Sequence, residues 1–203
     1  LDAAELMNVG CNYLREHMIP EARIHYAYID AGGTAPNVVQ DHAVIRYEVR
    51  SPWVSQVKDL FERVKNVARG ASIMTDTTVD CELAMAFTEY IPNNALAAVA
   101  DECMKEVGAP KWDEDDYAMA REFLNTYPPV TVENIKSQII EVFGEDRLEE
   151  ILERPLDSEI HPFNPDKIKL TAGSTDVGDV GYAAPTLNIN IATACIGNVG
   201  HSW

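Results

Sequence analysis

Two alternating segments decide the fold of the N-terminal part: ARIHYAYIDA at residues 22–31 and HAVIRYEVR at residues 42–50. Both alternate polar with apolar residues and are rich in β-branched and aromatic side chains, which is typical of half-buried strands. The loop between them contains Gly32, Gly33 and Pro36, which interrupt regular structure. The pattern therefore predicts an antiparallel hairpin with a long loop.

Helical patterns flank this hairpin on both sides. Residues 1–18 have apolar side chains at helical spacing, and a second amphipathic helix is predicted from Pro52. It ends either at Gly70 or, if the helical pattern continues, near Met74. Residues 77–87, TTVDCELAMAF, alternate again and predict a third strand. The order helix, strand, strand, helix, strand predicts a split βαβ sandwich, an antiparallel sheet with two helices on one face. Its first strand would precede Leu1, so we expect the chain to be a fragment.

The composition changes after about residue 90. Helices are predicted at 93–108 and 114–125, and a charged helical segment at 132–153. The last stretch is poor in charge and rich in Gly, Ser and Thr, and it contains a predicted buried strand at Thr186–Ala194. The chain stops at Trp203 directly after a polar pair, which again suggests truncation. The fold class predicted for the whole chain is α/β.

Composition and charge exclude several classes of protein. The 203 residues include 16 basic and 33 acidic side chains, a net charge of −17, which argues against nonspecific binding to nucleic acid or to an anionic membrane. No apolar run approaches the roughly 20 residues of a membrane span, and no signal peptide pattern is present. The four cysteines form no C-x-x-C pair. They predict reduced, mostly buried thiols in a cytoplasmic protein.

The densest candidate for chemistry is the segment from Gly173 to Asp179, GSTDVGD. Small residues there allow main-chain N–H groups to approach an anion, and the hydroxyls of Ser174 and Thr175 add donors. Asp176 and Asp179 could orient a metal-bound histidine or bind cations, or the segment could simply be a structural turn in which an aspartate caps the next element.

Two further candidates lie outside that segment. His201 stands between Gly200 and Ser202 and is either a metal ligand or an exposed loop histidine. Asn37 and Arg50, 13 residues apart (50 − 37), would converge on a carboxylate if the loop folds back over the strand. The alternative is a turn asparagine and a surface arginine.

Four motifs together resemble one enzyme family. They are AGGTAPNVV at 31–39, Arg50, GSTDVGDV at 173–180 and GHSW at 200–203, and they are similar to dinuclear-metal amidohydrolases that include aminoacylases and glutamate-releasing carboxypeptidases. Such proteins have a catalytic α/β domain with two metals and an inserted lid that dimerises. The resemblance implies that residues 1–87 form a lid lacking its first strand and that residues 88–203 form the returning part of the catalytic domain.

The resemblance also implies roles for single residues. His201 matches the last metal ligand of the family. Asn37 and Arg50 match the lid pair that binds the substrate carboxylate, and Gly173, Ser174 and Thr175 match the segment lining that pocket. The catalytic glutamate and the remaining ligands would belong to a preceding part, so no catalytic residue is expected in this chain, and the chain alone is expected to be inactive.

The implied activity is metal-dependent cleavage of an amide bond in an N-acyl amino acid, in particular an N-acyl glutamate. The expected cofactors are two divalent ions, zinc or manganese, and the expected assembly is a homodimer through the lid with a possible second subunit. No nucleic acid or membrane partner is expected. A non-catalytic dimerisation or ligand-binding module built on the same lid is the alternative.

Overall fold

The computed structural model describes residues 1–166 and 173–198. In this part of the chain the fold is mixed α/β, with two antiparallel strands, β1 at Arg23–Asp30 and β2 at Val44–Arg50. The α-helices among the described residues are α1 Asp2–Leu14, α2 Val54–Thr75, α3 Asn94–Val107, α4 Glu114–Asn125, α5 Pro129–Phe143, α6 Leu148–Glu153 and α7 Val177–Ala183.

The chain divides into two compact units. The first contains residues 1–91 together with 173–185, and the second contains residues 92–166 together with 186–198. The assignment of a lid that ends at residue 87 stays a prediction.

The predicted hairpin of the first unit is confirmed. β1 and β2 pair antiparallel with Arg23 opposite Arg50 at one end and Tyr26 opposite Tyr47 in the middle. One face of this sheet packs on α1 and α2, so that both helices share one core with the strands, as the sequence predicts. The buried members of this core are Cys11, Ala22, Ile24, Leu60 and Val64.

A polar bridge crosses this packed face. Asn8, only 4% exposed, donates from Nδ2 to the Tyr28 hydroxyl at 3.0 Å and accepts from the Tyr47 hydroxyl at 2.5 Å. The Tyr28 hydroxyl in turn donates to the Glu5 carboxylate. The bridge ties α1 to both strands, and it satisfies polar groups that would be costly to bury unpaired.

Two predicted strands are wrong. Residues 77–87 carry the alternating pattern, but the structure assigns them no strand, and Leu83 and Met85 are 61% and 70% exposed. Residues 186–194 likewise form no strand, and most of them are exposed. Alternation determines which face a side chain takes, whereas a strand also needs a neighbour for its N–H and C=O groups. The sheet among the described residues contains only β1 and β2.

The second helix follows the longer of its two predicted extents. α2 continues through Gly70 to Thr75, where Asp76 takes a left-handed conformation with φ 51°. An internal glycine costs a helix only about 1 kcal/mol relative to alanine, and the buried face continues beyond it at Ala71. Burial on this face therefore outweighs the propensity of Gly70.

The second unit is helical. α3 begins after Asn93, whose side chain accepts from the Leu96 amide, and α4 matches the predicted segment 114–125. The predicted segment 132–153 is divided at Gly144, whose φ of 93° ends α5 before α6 begins. The buried core of this unit comprises Ala120, Leu124, Ile135, Ile139 and Cys195.

The cysteines are free, as predicted, but their burial differs from the prediction. Cys11 and Cys195 are buried, and burial raises the pKa of both thiols. Cys81 and Cys103 are exposed, so the prediction of mostly buried thiols holds for half of them. Over the described ranges, every helix is too short or too polar to cross a membrane.

Candidate functional site

Arg50 ends β2 on the sheet face that points away from the two helices. We call this the outer face; its residues are Arg23, His25, Ala27, Asp30, Val44, Arg46, Glu48 and Arg50. The Arg50 Nε donates to the Glu48 carboxylate, two residues earlier on the same face. Arg50 is half-buried, and its guanidinium Nη2 lies 3.5 Å from the Ser174 Oγ. The fold therefore brings together two predicted site residues that are 124 positions apart in sequence.

Helix α7 begins three residues after Ser174 and fixes the position of the segment at 173–176. The Asp179 Oδ1 accepts from the main-chain amide of Thr88 at 2.9 Å and from its hydroxyl at 2.5 Å. Gly178 packs directly against the same residue, because a Cβ added there would lie 2.2 Å from the Thr88 carbonyl oxygen. Asp179 is thus an anchor of the helix and its role, left open by the sequence, is structural.

A second contact joins the same elements. Glu89 accepts from the main-chain amide of Val54 at 2.9 Å and from the Tyr182 hydroxyl at 2.8 Å. Burial opposes ionisation of this carboxyl, but the hydrogen bonds outweigh it and lower the pKa of Glu89. The hydrogen bond to Glu89 raises the pKa of Tyr182. The first turn of α2, residues 88–91 and α7 therefore form one hydrogen-bonded cluster beside the end of β2.

Thr175 shapes the entry to α7. Its hydroxyl accepts from the Val177 amide at 3.3 Å, and its main-chain oxygen accepts from the Gly178 amide at 3.3 Å. Gly173, Ser174 and Thr175 are exposed. The Ser174 hydroxyl is therefore the exposed hydroxyl that lies next to Arg50, and a hydroxyl beside a guanidinium is suited to an anion.

Asn37 lies in the exposed loop between the strands, within a turn closed by a hydrogen bond from the Val38 amide to the Ala35 carbonyl at 3.2 Å. Among the described residues no hydrogen bond joins its side chain to Arg50. Its participation in carboxylate binding stays a prediction. His201 lies outside the described residues, so its predicted metal ligation also stays a prediction.

A comparison with characterised proteins shows which hydrolases the chain resembles. The chain is 34% identical over 206 aligned residues to a subunit of the p-aminobenzoyl-glutamate hydrolase of Escherichia coli K12, and the alignment spans 100% of this chain. Over its whole length the chain is similar to part of an amidohydrolase. It is also 32% identical to the Xaa-Arg dipeptidase of Mus musculus and 27% identical to that of Homo sapiens, each over 116 residues and 57% of this chain. No protein-family model matches it.

The chain spans less than half the length of the amidohydrolases that it matches. It corresponds to 43% of the Escherichia coli protein and to 27% and 26% of the mouse and human dipeptidases.

The amidohydrolase family is generally metal-dependent, and the chain can be tested for a metal site. Residues 1–166 and 173–198 contain no group of three His, Cys, Asp or Glu side chains placed to hold an ion. A structural metal site normally has four ligands, and even an open catalytic site has three. The described residues by themselves thus do not supply a metal site.

Sequence reasoning missed the residues that position the site. Glu89 and Tyr182 were not predicted to act there, and Gly178 and Asp179, which lie in the predicted segment, were given no positioning role. Glycine and aspartate spaced along STDVGDVGY are a signal for a short helix with a close approach to another chain segment. The partner segment at 88–91 has no such signal in the sequence.

Proposed function

We propose that this chain is the lid and the returning part of a metal-dependent amidohydrolase that hydrolyses an N-acyl amino acid. The substrate proposed is p-aminobenzoyl-glutamate or a similar N-acyl glutamate, by analogy with the Escherichia coli relative. The observation that supports it is the approach of Arg50 to Ser174, at 3.5 Å, beside the exposed backbone of residues 173–175.

The role of these residues is to bind the free carboxylate of the substrate. A guanidinium binds a carboxylate through charge-assisted hydrogen bonds, and a hydroxyl at 3.5 Å can donate to the same oxygen atoms. Holding the carboxylate fixes the distance from it to the amide bond that is cleaved. Lid closure would then exclude water from the bound substrate.

The rest of the proposal concerns groups outside the described residues. His201 is proposed as one ligand of two divalent ions, zinc or manganese, with the other ligands and the catalytic carboxylate in the part of the protein that this chain does not span. Such ions polarise an amide carbonyl when bound. We further propose a cytoplasmic homodimer formed through the lid, together with a second, different subunit, because the Escherichia coli relative is itself one subunit of a hydrolase.

The test is to replace Arg50 in the full-length protein, assembled with any subunit that it requires. Arg50→Ala is expected to lower kcat/KM for p-aminobenzoyl-glutamate by about 10- to 150-fold, the loss of one charge-assisted contact of roughly 1.5–3 kcal/mol. Arg50→Lys should restore little, because an ammonium lacks the planar fork of a guanidinium.

Arg46→Ala is the matched control, since Arg46 lies on the same strand and the same outer face. It should leave kcat/KM nearly unchanged. A substrate whose carboxylates are capped as amides should be poor for the unmodified protein and indifferent to Arg50→Ala. Equal losses on capped and uncapped substrates would mean that Arg50 is structural and that another group binds the carboxylate.

A further inference from the structure

The outer face has a charge opposite to that of the chain. Its charged residues are three arginines, Arg23, Arg46 and Arg50, and two acidic residues, Asp30 and Glu48, a balance of +1 with histidine counted as uncharged. The chain as a whole has a net charge of −17. Such a local excess of cations on an acidic protein marks a surface suited to an anion.

The register places two of these cations directly opposite each other. Arg23 pairs with Arg50 across the ladder, at the end of both strands. Directly opposed residues have Cβ atoms about 4.5–5.5 Å apart, and like charges at such positions destabilise a sheet. Glu48 forms an ion pair with Arg50 on this face, so one cation of the pair is compensated.

Arg23 is held in place without being neutralised. Its Nη1 donates to the main-chain carbonyls of Pro20 at 2.5 Å and Ala22 at 2.7 Å. No ion pair joins it to a carboxylate in the described part of the chain. Neutral carbonyls fix a guanidinium and leave its charge to act on a ligand.

We propose that Arg23 and Arg50 together bind a dicarboxylate, with Arg50 holding the carboxylate next to the cleaved amide and Arg23 holding the second one. The first assignment rests on the proposed function; the second names Arg23 as a residue that selects substrates with an acidic side chain. The two carboxyl carbons of a glutamyl group are separated by four carbon–carbon bonds, a span of about 5 Å. Both arginine side chains start from opposed positions at the same end of the sheet, so they are placed to bind the two ends of one group of this length.

Arg46 provides a control on the same face. It lies four residues before Arg50 on β2, about 13 Å away at the usual strand rise. This exceeds the reach of one glutamyl group and the screening length of about 8 Å at physiological ionic strength. Loss of Arg46 therefore removes one positive charge from the face without removing a contact to the dicarboxylate.

The experiment compares two substrates that differ by one charge, p-aminobenzoyl-glutamate and p-aminobenzoyl-glutamine, with the full-length protein and any subunit that it requires. Arg23→Gln is expected to lower kcat/KM for the glutamate substrate by about 10- to 150-fold and for the glutamine substrate by less than about threefold. Arg46→Gln should change both by less than about threefold. The glutamine substrate serves as the internal check that Arg23→Gln still folds.

Three results would overturn the proposal. Equal losses on both substrates in Arg23→Gln would make Arg23 structural. Equal changes of kcat/KM in Arg23→Gln and Arg46→Gln would indicate that the electrostatic field of the whole face acts on the substrate and that Arg23 forms no local site. No preference of the unmodified protein for the glutamate substrate would remove the second subsite while leaving the proposed function intact.

Failure of the proposed function itself gives a different pattern, in which neither substrate is hydrolysed or Arg50→Gln has no effect. Calorimetric titration then still tests the arginine pair, because it needs no turnover. Glutarate should bind the unmodified protein at least about tenfold more tightly than butyrate, and Arg23→Gln should abolish the difference. Equal affinities for glutarate and butyrate would overturn the proposal.

Discussion

Helix α7 contains two glycines, and replacing each by alanine is expected to change stability in different ways. A Cβ at Gly178 would lie 2.2 Å from the Thr88 carbonyl oxygen, 3.0 Å from the Thr88 carbonyl carbon and 3.1 Å from the Glu89 carbonyl carbon. A Cβ at Gly181 would meet the Ile91 Cβ at 3.6 Å, an ordinary van der Waals contact. Gly178→Ala should therefore destabilise the protein, and Gly181→Ala should not.

The magnitude follows from two competing contributions. Alanine is favoured over glycine in a helix by up to about 1 kcal/mol, so Gly181→Ala should be neutral or slightly stabilising. At Gly178 the overlap is with main-chain atoms of residues 88 and 89, which also hold Asp179 through the Thr88 amide. Relieving such overpacking typically costs about 1–3 kcal/mol. Because the propensity contribution is the same for both variants, the difference between them isolates this steric cost.

The assay is urea denaturation of the full-length protein with its required subunit, followed by far-ultraviolet circular dichroism. The midpoint of Gly178→Ala should fall below that of Gly181→Ala, with the slopes unchanged. Since α7 positions Ser174 beside Arg50, Gly178→Ala should also raise KM for the carboxylate substrate more than it lowers kcat. Equal midpoints for the two variants would refute the packing of α7 on residues 88–91.

Two predictions concern the bridge under the sheet. Asn8→Ala removes the group that joins the Tyr28 and Tyr47 hydroxyls, and it should lower the free energy of unfolding by about 1–3 kcal/mol. Asn12→Ala, on the exposed side of the same helix, should change this free energy by less than about 0.5 kcal/mol in the same urea titration. Equal losses in the two variants would contradict the bridge. Burial and the hydrogen bond to Glu5 raise the pKa of Tyr28 to about 12, above the value of about 10 in unfolded chains. The protonated Tyr28 hydroxyl should therefore stabilise the fold fully below pH 10, and this stabilisation should disappear as the pH rises through 12. The unfolding free energy measured from pH 9 to 12 should fall less steeply in Tyr28→Phe, and an unchanged slope would exclude this contribution.

Sequence patterns predicted the elements whose causes are local. The hairpin follows from alternation on either side of a Gly- and Pro-rich loop, and α3 follows from the cap at Asn93 and the stop at Gly108. The two wrong strands, at 77–87 and 186–194, have the same alternation as β1 and β2. What they lack among the described residues is a paired neighbour, which depends on distant parts of the chain and leaves no trace in a local pattern.

The sequence predicted two residues of the candidate site but not the contacts that position them. Motif resemblance identified Arg50 and Ser174, and the structure places their polar atoms 3.5 Å apart. The residues that make this approach possible were out of reach, because Asp179 and Thr88 are 91 positions apart and neither is unusual alone. Resemblance transfers residue types at matched positions, whereas the contacts that support them depend on packing that differs between relatives.

An acidic protein with an anionic substrate presents an electrostatic problem that the register of the sheet resolves. With a net charge of −17, the overall field of the chain repels a dicarboxylate. At physiological ionic strength, however, charges more than about 8 Å from a bound group are largely screened. The cross-strand pair Arg23 and Arg50 lies within that distance of a ligand held between them. Most of the acidic side chains of the chain lie farther away than that. A shift of β1 by one residue would keep the composition and the net charge, but it would send Arg23 to the helix-packed face and remove the pair. Affinity for the second carboxylate therefore depends on strand register and on short-range contacts. The composition and net charge of the chain alone would predict no such affinity.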